Sequence, residues 1–182
     1  KTGAYPCGAV VEILTIQDGW GQTEKGWVSM DYLWPVEAAD EGLVTDTGLR
    51  IIQEFLPAGA DNRPGGSNPD TYITIHETGN FAKGADAAAH AAYLRGSSAQ
   101  AAPVSWHYTV DDHSIYQHLP DGERAYHAGD GGSGPGNATS IGIEICVDAG
   151  GDFEQARANA ASLVRLLMER HDIPLDRVVQ HN

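Results

Sequence analysis

The sequence is poor in basic residues and has no long apolar run. Its 182 residues include 11 Lys and Arg against 25 Asp and Glu, which gives a formal net charge of −14. Proteins that bind nucleic acid usually carry a basic stripe, so this balance argues against a nucleic-acid partner and against attraction to an anionic membrane surface. Because no apolar run approaches the roughly 20 residues that a membrane helix needs, we also expect no membrane insertion.

Cysteine is scarce as well, with only Cys7 and Cys146 in the chain. Two cysteines do not make a disulfide framework, and each stands in an apolar setting that is typical of a small buried residue. The rest of the composition is ordinary for a globular protein, with 41% hydrophobic and 20% charged residues. The length suits one domain with a core of its own, or one domain and a fraction of another.

Residues 1–34 are predicted to form short β-strands, over 9–14, 20–23 and 26–30, with a further stretch at 31–34. The second and third strands make a hairpin around Glu24-Lys25. The run GWGQTEKGWVSMDYL resembles the second half of a bacterial SH3-type domain, which implies part of a wall-binding module. A β-rich extension packed on the main domain is the alternative. Residues 35–43 are acidic, small and contain proline, which predicts a linker.

Strands and helices alternate from about residue 71, which predicts an α/β domain with a central mixed β-sheet flanked by helices over residues 44–182. The clearest element is a helix over 153–171, where apolar residues recur with the helical period behind Asp152 as the N-cap. A second helix is predicted over 86–94. The predicted strands are 71–76, 104–110, 115–119, 125–127, 140–147 and 178–181, and the predicted loops are 57–69 and 129–137.

Three polar side chains stand at the downstream ends of apolar strands: His76, Glu144 and His181. Ligands bind at the carboxyl edge of open α/β sheets, so these residues are candidates for a site. Glu144 lies within the run IGIEICV, where a buried carboxylate is costly unless it is paired. Buried carboxyls with a raised pKa are typical general acid/base groups. Two alternatives stay open, namely His76 as an ordinary core histidine and Glu144 on the solvent face of an edge strand.

Two histidines and a carboxylate suit a zinc site, but the sequence does not contain the helical metalloprotease motif H-E-x-x-H. The second histidine of that motif is replaced by Asn80, and the segment is predicted to be a strand followed by a loop. A hydrolytic triad has weaker support, because the chain has no G-x-S-x-G and neither Ser105 nor Ser140 has a histidine and an acid in a fixed relation. Cys146 lies inside an apolar strand, which disfavours it as a nucleophile.

Six segments together give a more specific signal. They are ITIHETGN, SWHYTVDD, YHAGDG, GPGN, SIGIEICV and IPLDRVVQHN, in this order and spacing. This set resembles the zinc-dependent N-acetylmuramoyl-L-alanine amidases of the amidase-2 type. That family shares its fold with phage amidase lysozymes and peptidoglycan recognition proteins, and the resemblance runs from about residue 44 to the end of the chain.

The resemblance implies a role for each matching residue. It implies Zn²⁺ as the cofactor, with His76 and His181 as ligands, and Glu144 as the general base that acts on a zinc-activated water. The residues with implied substrate contacts are His127, His107, Trp106 and Asn80.

The resemblance also implies a third zinc ligand, a Cys or Asp downstream of the second histidine, which we expect beyond Asn182. On this view the amidase domain is truncated at its C-terminus. It then holds zinc loosely and has little activity as it stands, because zinc sites normally have at least three protein ligands. Within the chain, His127 is the candidate for a substitute ligand.

The implied reaction is hydrolysis of the amide bond between N-acetylmuramic acid and the L-alanine of the stem peptide, and the implied partner is bacterial peptidoglycan. The resemblance also implies a secreted or wall-associated monomer of bacterial or phage origin, either an endolysin or an autolysin. A non-catalytic peptidoglycan-binding module of the same fold is the alternative. Glu144 favours the enzyme, because a module that only binds has no need to bury a carboxylate.

Overall fold

A computed structural model describes residues 11, 13–30 and 43–181. The chain divides into two compact units, residues 1–41 and 42–182, and the division falls inside the segment predicted as a linker. The stretch predicted at 31–34 and most of the predicted linker lie outside the described residues. Within the described residues, no helix combines the length and the apolar character required to cross a bilayer.

The described part of the N-terminal unit forms a three-stranded antiparallel sheet. Its strands are β1 (Thr15–Gln17), β2 (Trp20–Thr23) and β3 (Gly26–Ser29). Thr23 pairs with Gly26, which confirms the hairpin predicted around Glu24-Lys25. Of the strand predicted over 9–14, positions 9, 10 and 12 lie outside the described residues, and β1 begins only at Thr15. The likeness to an SH3-type domain stays a prediction.

The larger unit contains a six-stranded mixed sheet, which confirms the predicted fold class. Its strands are β4 (Ile51–Gln53), β5 (Tyr72–Glu77), β6 (Tyr108–Val110), β7 (Ile115–Gln117), β8 (Ser140–Ile145) and β9 (Val178–Gln180), in the spatial order β4-β7-β6-β8-β5-β9. Strands β6 and β7 are antiparallel, and all other neighbours are parallel. The helices are α1 (Ala87–Arg95), α2 (Ser97–Ala101), α3 (Pro135–Thr139) and α4 (Phe153–His171).

Helix α4 covers one face of the sheet, because its apolar stripe meets the isoleucines and valines that the strands direct to that side. Leu163 and Leu167 are fully buried in this core. The side chain of Asp152 accepts a hydrogen bond from the N–H of Gln155 at 3.1 Å and so caps the helix. The predicted helix, its N-cap and both of its ends are confirmed. The opposite face of the sheet is left for polar side chains and a smaller apolar cluster next to α1.

Three predicted elements differ from the structure. The strand predicted from residue 104 begins only at Tyr108, since the His107 ring takes the place of a backbone partner and accepts a hydrogen bond from the Gly142 N–H at 2.9 Å. The strand predicted over 125–127 does not form, because these residues hydrogen-bond to loop and helix groups outside any ladder. The loop predicted over 129–137 ends early, because α3 begins at Pro135, a residue suited to the first turn of a helix.

The packing of α4 predicts a large cost for truncating its central leucine. Leu163 is 0% exposed, so Leu163→Ala removes buried apolar surface and leaves a cavity, which should lower the free energy of unfolding by about 2–5 kcal/mol. Leu175, which is 73% exposed, supplies the control. Leu175→Ala should lower the free energy of unfolding by less than about 0.5 kcal/mol. Urea titration of both variants measures the two changes. Equal losses in the two variants would contradict the assignment of the core.

Candidate active site

The predicted site residues of three strands meet at the carboxyl end of the sheet. His76 in β5 is the register partner of Glu144 in β8, so their side chains leave the sheet side by side on the same face. The backbone N–H of His181, just after β9, donates to the Ile75 carbonyl at 3.0 Å and so places His181 beside His76. This is the face opposite α4, because the residues that alternate with His76 and Glu144 point into the core.

Three imidazoles converge at this point. Nε2 of His76 lies 3.0 Å from Nδ1 of His127, and the ring centroids of His76 and His181 are 4.7 Å apart. Nε2 of His181 lies 3.0 Å from the Ala128 carbonyl oxygen. Because a carbonyl can only accept, Nε2 carries a proton in this contact, which leaves Nδ1 as the nitrogen of His181 that could bind a metal. The structure therefore brings His127 to the two histidines that were predicted as ligands.

Burial keeps two of these imidazoles neutral. It lowers the pKa of His76 to about 4, with a further contribution from the nearby His181. It lowers the pKa of His127 to about 3, and the neighbouring His107 and His76 add to this effect. At neutral pH both rings are thus uncharged and each has one unprotonated nitrogen, which is the form in which histidine binds metals.

Glu144 occupies an interior strand, since β8 lies between β5 and β6. The alternative of a solvent-facing carboxylate on an edge strand therefore does not match the structure. Its Oε2 atom is buried and has no hydrogen-bond partner within the described residues. Burial raises the pKa of the Glu144 carboxyl to about 7. A carboxyl in this state can both accept and return a proton near neutral pH.

Glu144 is expected to make the free energy of unfolding fall as the pH rises. Its pKa is about 7 in the folded protein and about 4.3 in an unfolded chain. Between these values the folded state binds more protons, so the stabilising contribution is complete below about pH 4 and is lost as the pH rises through about 7. Urea unfolding of EDTA-treated protein should show wild type losing about 3 kcal/mol relative to Glu144→Gln between about pH 4 and pH 8.5. If the free energies of unfolding of the two proteins changed in parallel with pH, the raised pKa of Glu144 would be contradicted.

His107 is fully buried, so its side chain has no surface that a substrate could reach. Its Nδ1 accepts from the Gly142 N–H at 2.9 Å, and its Nε2 donates to the Glu123 carbonyl at 2.8 Å. Its ring centroid lies 6.1 Å from that of His127. The geometry thus favours a supporting position behind His127 over the substrate contact that the sequence predicted.

Gly142 is a site residue that sequence reasoning missed. A Cβ atom at this position would lie 2.7 Å from the ring of His127, so only glycine lets that imidazole lie flat against β8. The signal was an isolated glycine inside an apolar strand, which often marks the close approach of another group. Asn137 was also missed, and its side chain accepts hydrogen bonds from the backbone N–H groups of His127 and Ala128.

Trp106 and Asn80, which the sequence predicts as substrate contacts, line one cleft. The cleft has a volume of about 330 Å³, and Thr78, His90 and Tyr93 complete most of its wall. Trp106 is largely buried, and its Nε1 donates to Thr109 Oγ1 at 2.6 Å. Thr109 is in turn the register partner of Glu144, so two contacts connect the wall of this cleft to the strand that carries the carboxylate.

The three residues weighed as nucleophiles are not available for attack. Ser105 is 0% exposed and its Oγ accepts from the Tyr126 N–H at 3.1 Å. Ser140 is 1% exposed and its Oγ donates to the Gly136 carbonyl at 2.7 Å. Burial raises the pKa of the Cys146 thiol far above its ordinary value, so the reactive thiolate does not form. None of these three side chains is therefore placed to act as a nucleophile.

A second group of metal-type side chains, Asp111, Asp112 and His113, lies in the turn between β6 and β7. The Asp111 carboxylate in this group already accepts hydrogen bonds at both of its oxygens. Oδ1 of Asp111 accepts from the N–H groups of His113 and Ser114, and Oδ2 accepts from the N–H of Ala87 at the start of α1. These contacts assign Asp111 to closing the turn and capping the helix.

Comparison with known proteins places this arrangement in a family. The sequence profile described as N-acetylmuramoyl-L-alanine amidase matches residues 66–182. The N-acetylmuramoyl-L-alanine amidase XlyA of Bacillus subtilis (strain 168) is 56% identical over 133 residues, which are 73% of this chain and 43% of XlyA. The amidase CwlH of the same organism is 53% identical over 133 residues, or 73% of this chain and 52% of CwlH. The chain thus spans about half the length of the curated relatives it matches.

Solved structures give the same result for the larger unit. The catalytic domain of XlyA superposes with a TM-score of 0.69 at 56% identity, over 73% of this chain and 84% of that one. PlyL superposes with a TM-score of 0.64 at 33% identity, over 73% and 81% of the two chains. Drosophila peptidoglycan recognition protein SD has a TM-score of 0.51 at 18% identity, over 73% and 83%, which shows a shared fold alone. The profile match contains His76, His127, Glu144 and His181.

Proposed function

Because the chain belongs to the N-acetylmuramoyl-L-alanine amidase family, we propose that it hydrolyses the amide bond between N-acetylmuramic acid and the L-alanine of the stem peptide. The observation that carries this proposal is the Glu144 carboxyl, whose Oε2 atom is buried without a hydrogen-bond partner, beside three converging imidazoles. A structural carboxylate would be paired or solvated. A general base must instead stay unpaired until its proton donor arrives.

The residues present fit a zinc ion. His76 and His181 offer imidazole nitrogens, a donor that zinc accepts readily, and burial holds His76 in its neutral form. The hydrogen bond from His181 Nε2 to a backbone carbonyl is typical of a metal-binding histidine, because it fixes the tautomer and the ring orientation. We propose His76 and His181 as ligands. When bound, zinc supplies a Lewis acid that polarises the scissile carbonyl and lowers the pKa of a water molecule.

Glu144 then moves the protons. As a carboxylate it takes a proton from the attacking water, and as a carboxylic acid it gives that proton to the leaving amine of L-alanine. A pKa of about 7 suits both steps, because neither form is strongly disfavoured at neutral pH. No other described carboxylate is the register partner of a residue in the histidine cluster.

His127 and the cleft position the substrate in this proposal. Nδ1 of His127 lies 3.0 Å from Nε2 of His76, so a substrate oxygen held next to His76 would lie within hydrogen-bond reach of His127. We assign His127 to the developing oxyanion and not to the metal. The cleft lined by Trp106 and Asn80 combines apolar and aromatic side chains with a few polar ones, which suits a short peptide.

The test is the chemistry of the product. Incubation of the chain with purified bacterial cell wall and excess zinc should release new N-terminal L-alanine amines, slowly because only two protein ligands are proposed, and EDTA should stop the release. New reducing sugar ends would indicate cleavage of the glycan instead, and amines on other residues would indicate cleavage within the peptide. Sedimentation of the chain with the wall without any release would favour the non-catalytic binding module. This substrate also implies action outside the cytoplasm, on the cell wall.

A further inference from the structure

Asn137 ties together the loop that carries His127. Its side chain is 3% exposed. Oδ1 accepts from the N–H of His127 at 2.7 Å and from the N–H of Ala128 at 2.8 Å, and Nδ2 donates to the Gly131 carbonyl at 3.1 Å. One amide thus satisfies three backbone groups that belong to no strand or helix. A buried loop needs such a partner, because unpaired backbone groups are costly.

The same amide reaches two imidazoles through the backbone. It holds His127, whose Nδ1 meets His76 Nε2 at 3.0 Å. It also holds Ala128, whose carbonyl accepts from His181 Nε2 at 3.0 Å. Any movement of this loop therefore shifts the ring of His127 and rotates the ring of His181 together.

The residues around Asn137 leave it little freedom. The Asp130 carboxylate accepts from the N–H of Gly136 at 2.7 Å and anchors the start of α3. A Cβ at Gly136 would lie 2.4 Å from the Cβ of Ala128, and a Cβ at Gly134 would lie 2.2 Å from the Asp130 Cγ. Each residue of the GPGN segment (134–137) thus has a structural role. Two glycines allow close contact, Pro135 starts the helix turn, and Asn137 reaches under the loop.

We infer that Asn137 is a positioning residue for the metal site, which sets the orientation of His127 and His181 through the 127–128 backbone. The metal part of this inference rests on the proposed function, whereas the positioning of the two rings does not. In this role Asn137 acts through the backbone groups that it binds and not by contact with substrate or metal. Groups that orient metal-binding histidines from behind typically change metal affinity by about 10–100-fold when they are removed.

Three variants separate this role from a general loss of stability. Asn137→Ala removes all three side-chain hydrogen bonds, whereas Asn137→Asp keeps an oxygen for the two N–H groups. Asn159→Ala is the matched control, since Asn159 is 1% exposed and donates to the Asp111 carbonyl at 3.0 Å, away from His76, His127 and His181. Calorimetry with zinc ions alone should show a dissociation constant raised about 10–100-fold in Asn137→Ala and changed less than about threefold in the other two. Asn137→Ser, too short to reach both N–H groups, replaces Asn137→Ala if that variant does not fold.

A metal-free measurement tests the positioning directly. In EDTA-treated protein, NMR signals of the His127 and His181 rings should both move in Asn137→Ala and stay in place in Asn159→Ala. Unchanged ring signals together with unchanged zinc affinity in a folded Asn137→Ala would overturn the inference while leaving the amidase proposal intact. A wild type that neither binds zinc nor releases L-alanine would overturn the amidase proposal, and the ring signals would still decide the role of Asn137.

Discussion

Replacing Glu144 by Gln should reduce the turnover of cell wall by about 10²–10⁴-fold, the usual contribution of a general acid/base group. Glutamine has nearly the same shape, but it can neither take the proton of water nor return it to the leaving amine. Because Glu144 is held in β8 by backbone pairing on both sides, the fold and the position of the side chain should persist. The loss should appear in kcat with little change in KM, since the missing interaction belongs to the transition state.

Glu77→Gln is the matched control for this measurement. Glu77 is the next residue after His76 in β5, but its side chain is exposed and leaves the sheet on the other face. Release of L-alanine by Glu77→Gln should therefore equal that of the wild type. Wild-type release by Glu144→Gln, with its fold checked by circular dichroism, would remove Glu144 from the mechanism.

The sequence predicted best those elements whose signal is long and local. Helix α4 has five turns of apolar periodicity and an N-cap, so its ends could be placed to the residue. Strand β8 could be predicted because its isoleucines alternate with small or polar residues. Two shorter elements were predicted wrongly, because they depend on contacts between residues that are distant in the sequence. Helix α3 depends on the Asp130 carboxylate, and the start of β6 depends on the ring of His107, neither of which has a periodic signature.

The candidate site divides in the same way. His76, Glu144 and His181 could be predicted because each stands at the end of an apolar strand, and adjacent strands bring their ends together. The placement of His127 could not be predicted, because this residue lies on an irregular loop. Its contact with His76 depends on the missing side chain of Gly142 and on the amide of Asn137, which is 10 residues away in sequence. Such contacts follow from the fold and not from a local pattern.

Replacing His76 by Ala should lower zinc affinity by roughly 100-fold and reduce the release of L-alanine to background. Structural zinc sites with four protein ligands bind with about 10–16 kcal/mol, or about 3 kcal/mol per ligand, so losing one of the two proposed ligands should cost about two decades in the dissociation constant. His76 is 9% exposed and lies between His127 and His181, so no neighbouring side chain can move into its place without breaking another contact. Zinc titration by calorimetry measures the first effect, and the cell-wall assay measures the second.

His113→Ala distinguishes this site from the other group of metal-type side chains. The imidazole of His113 lies beside Asp111 and Asp112, and its side chain is 69% exposed. If zinc bound there, His113→Ala would weaken it and His76→Ala would not. We expect the reverse, because both Asp111 oxygens already accept backbone N–H groups, which compete with a metal for their lone pairs. Weaker zinc binding in His113→Ala, with full affinity retained in His76→Ala, would show that the histidine cluster had been assigned the wrong role.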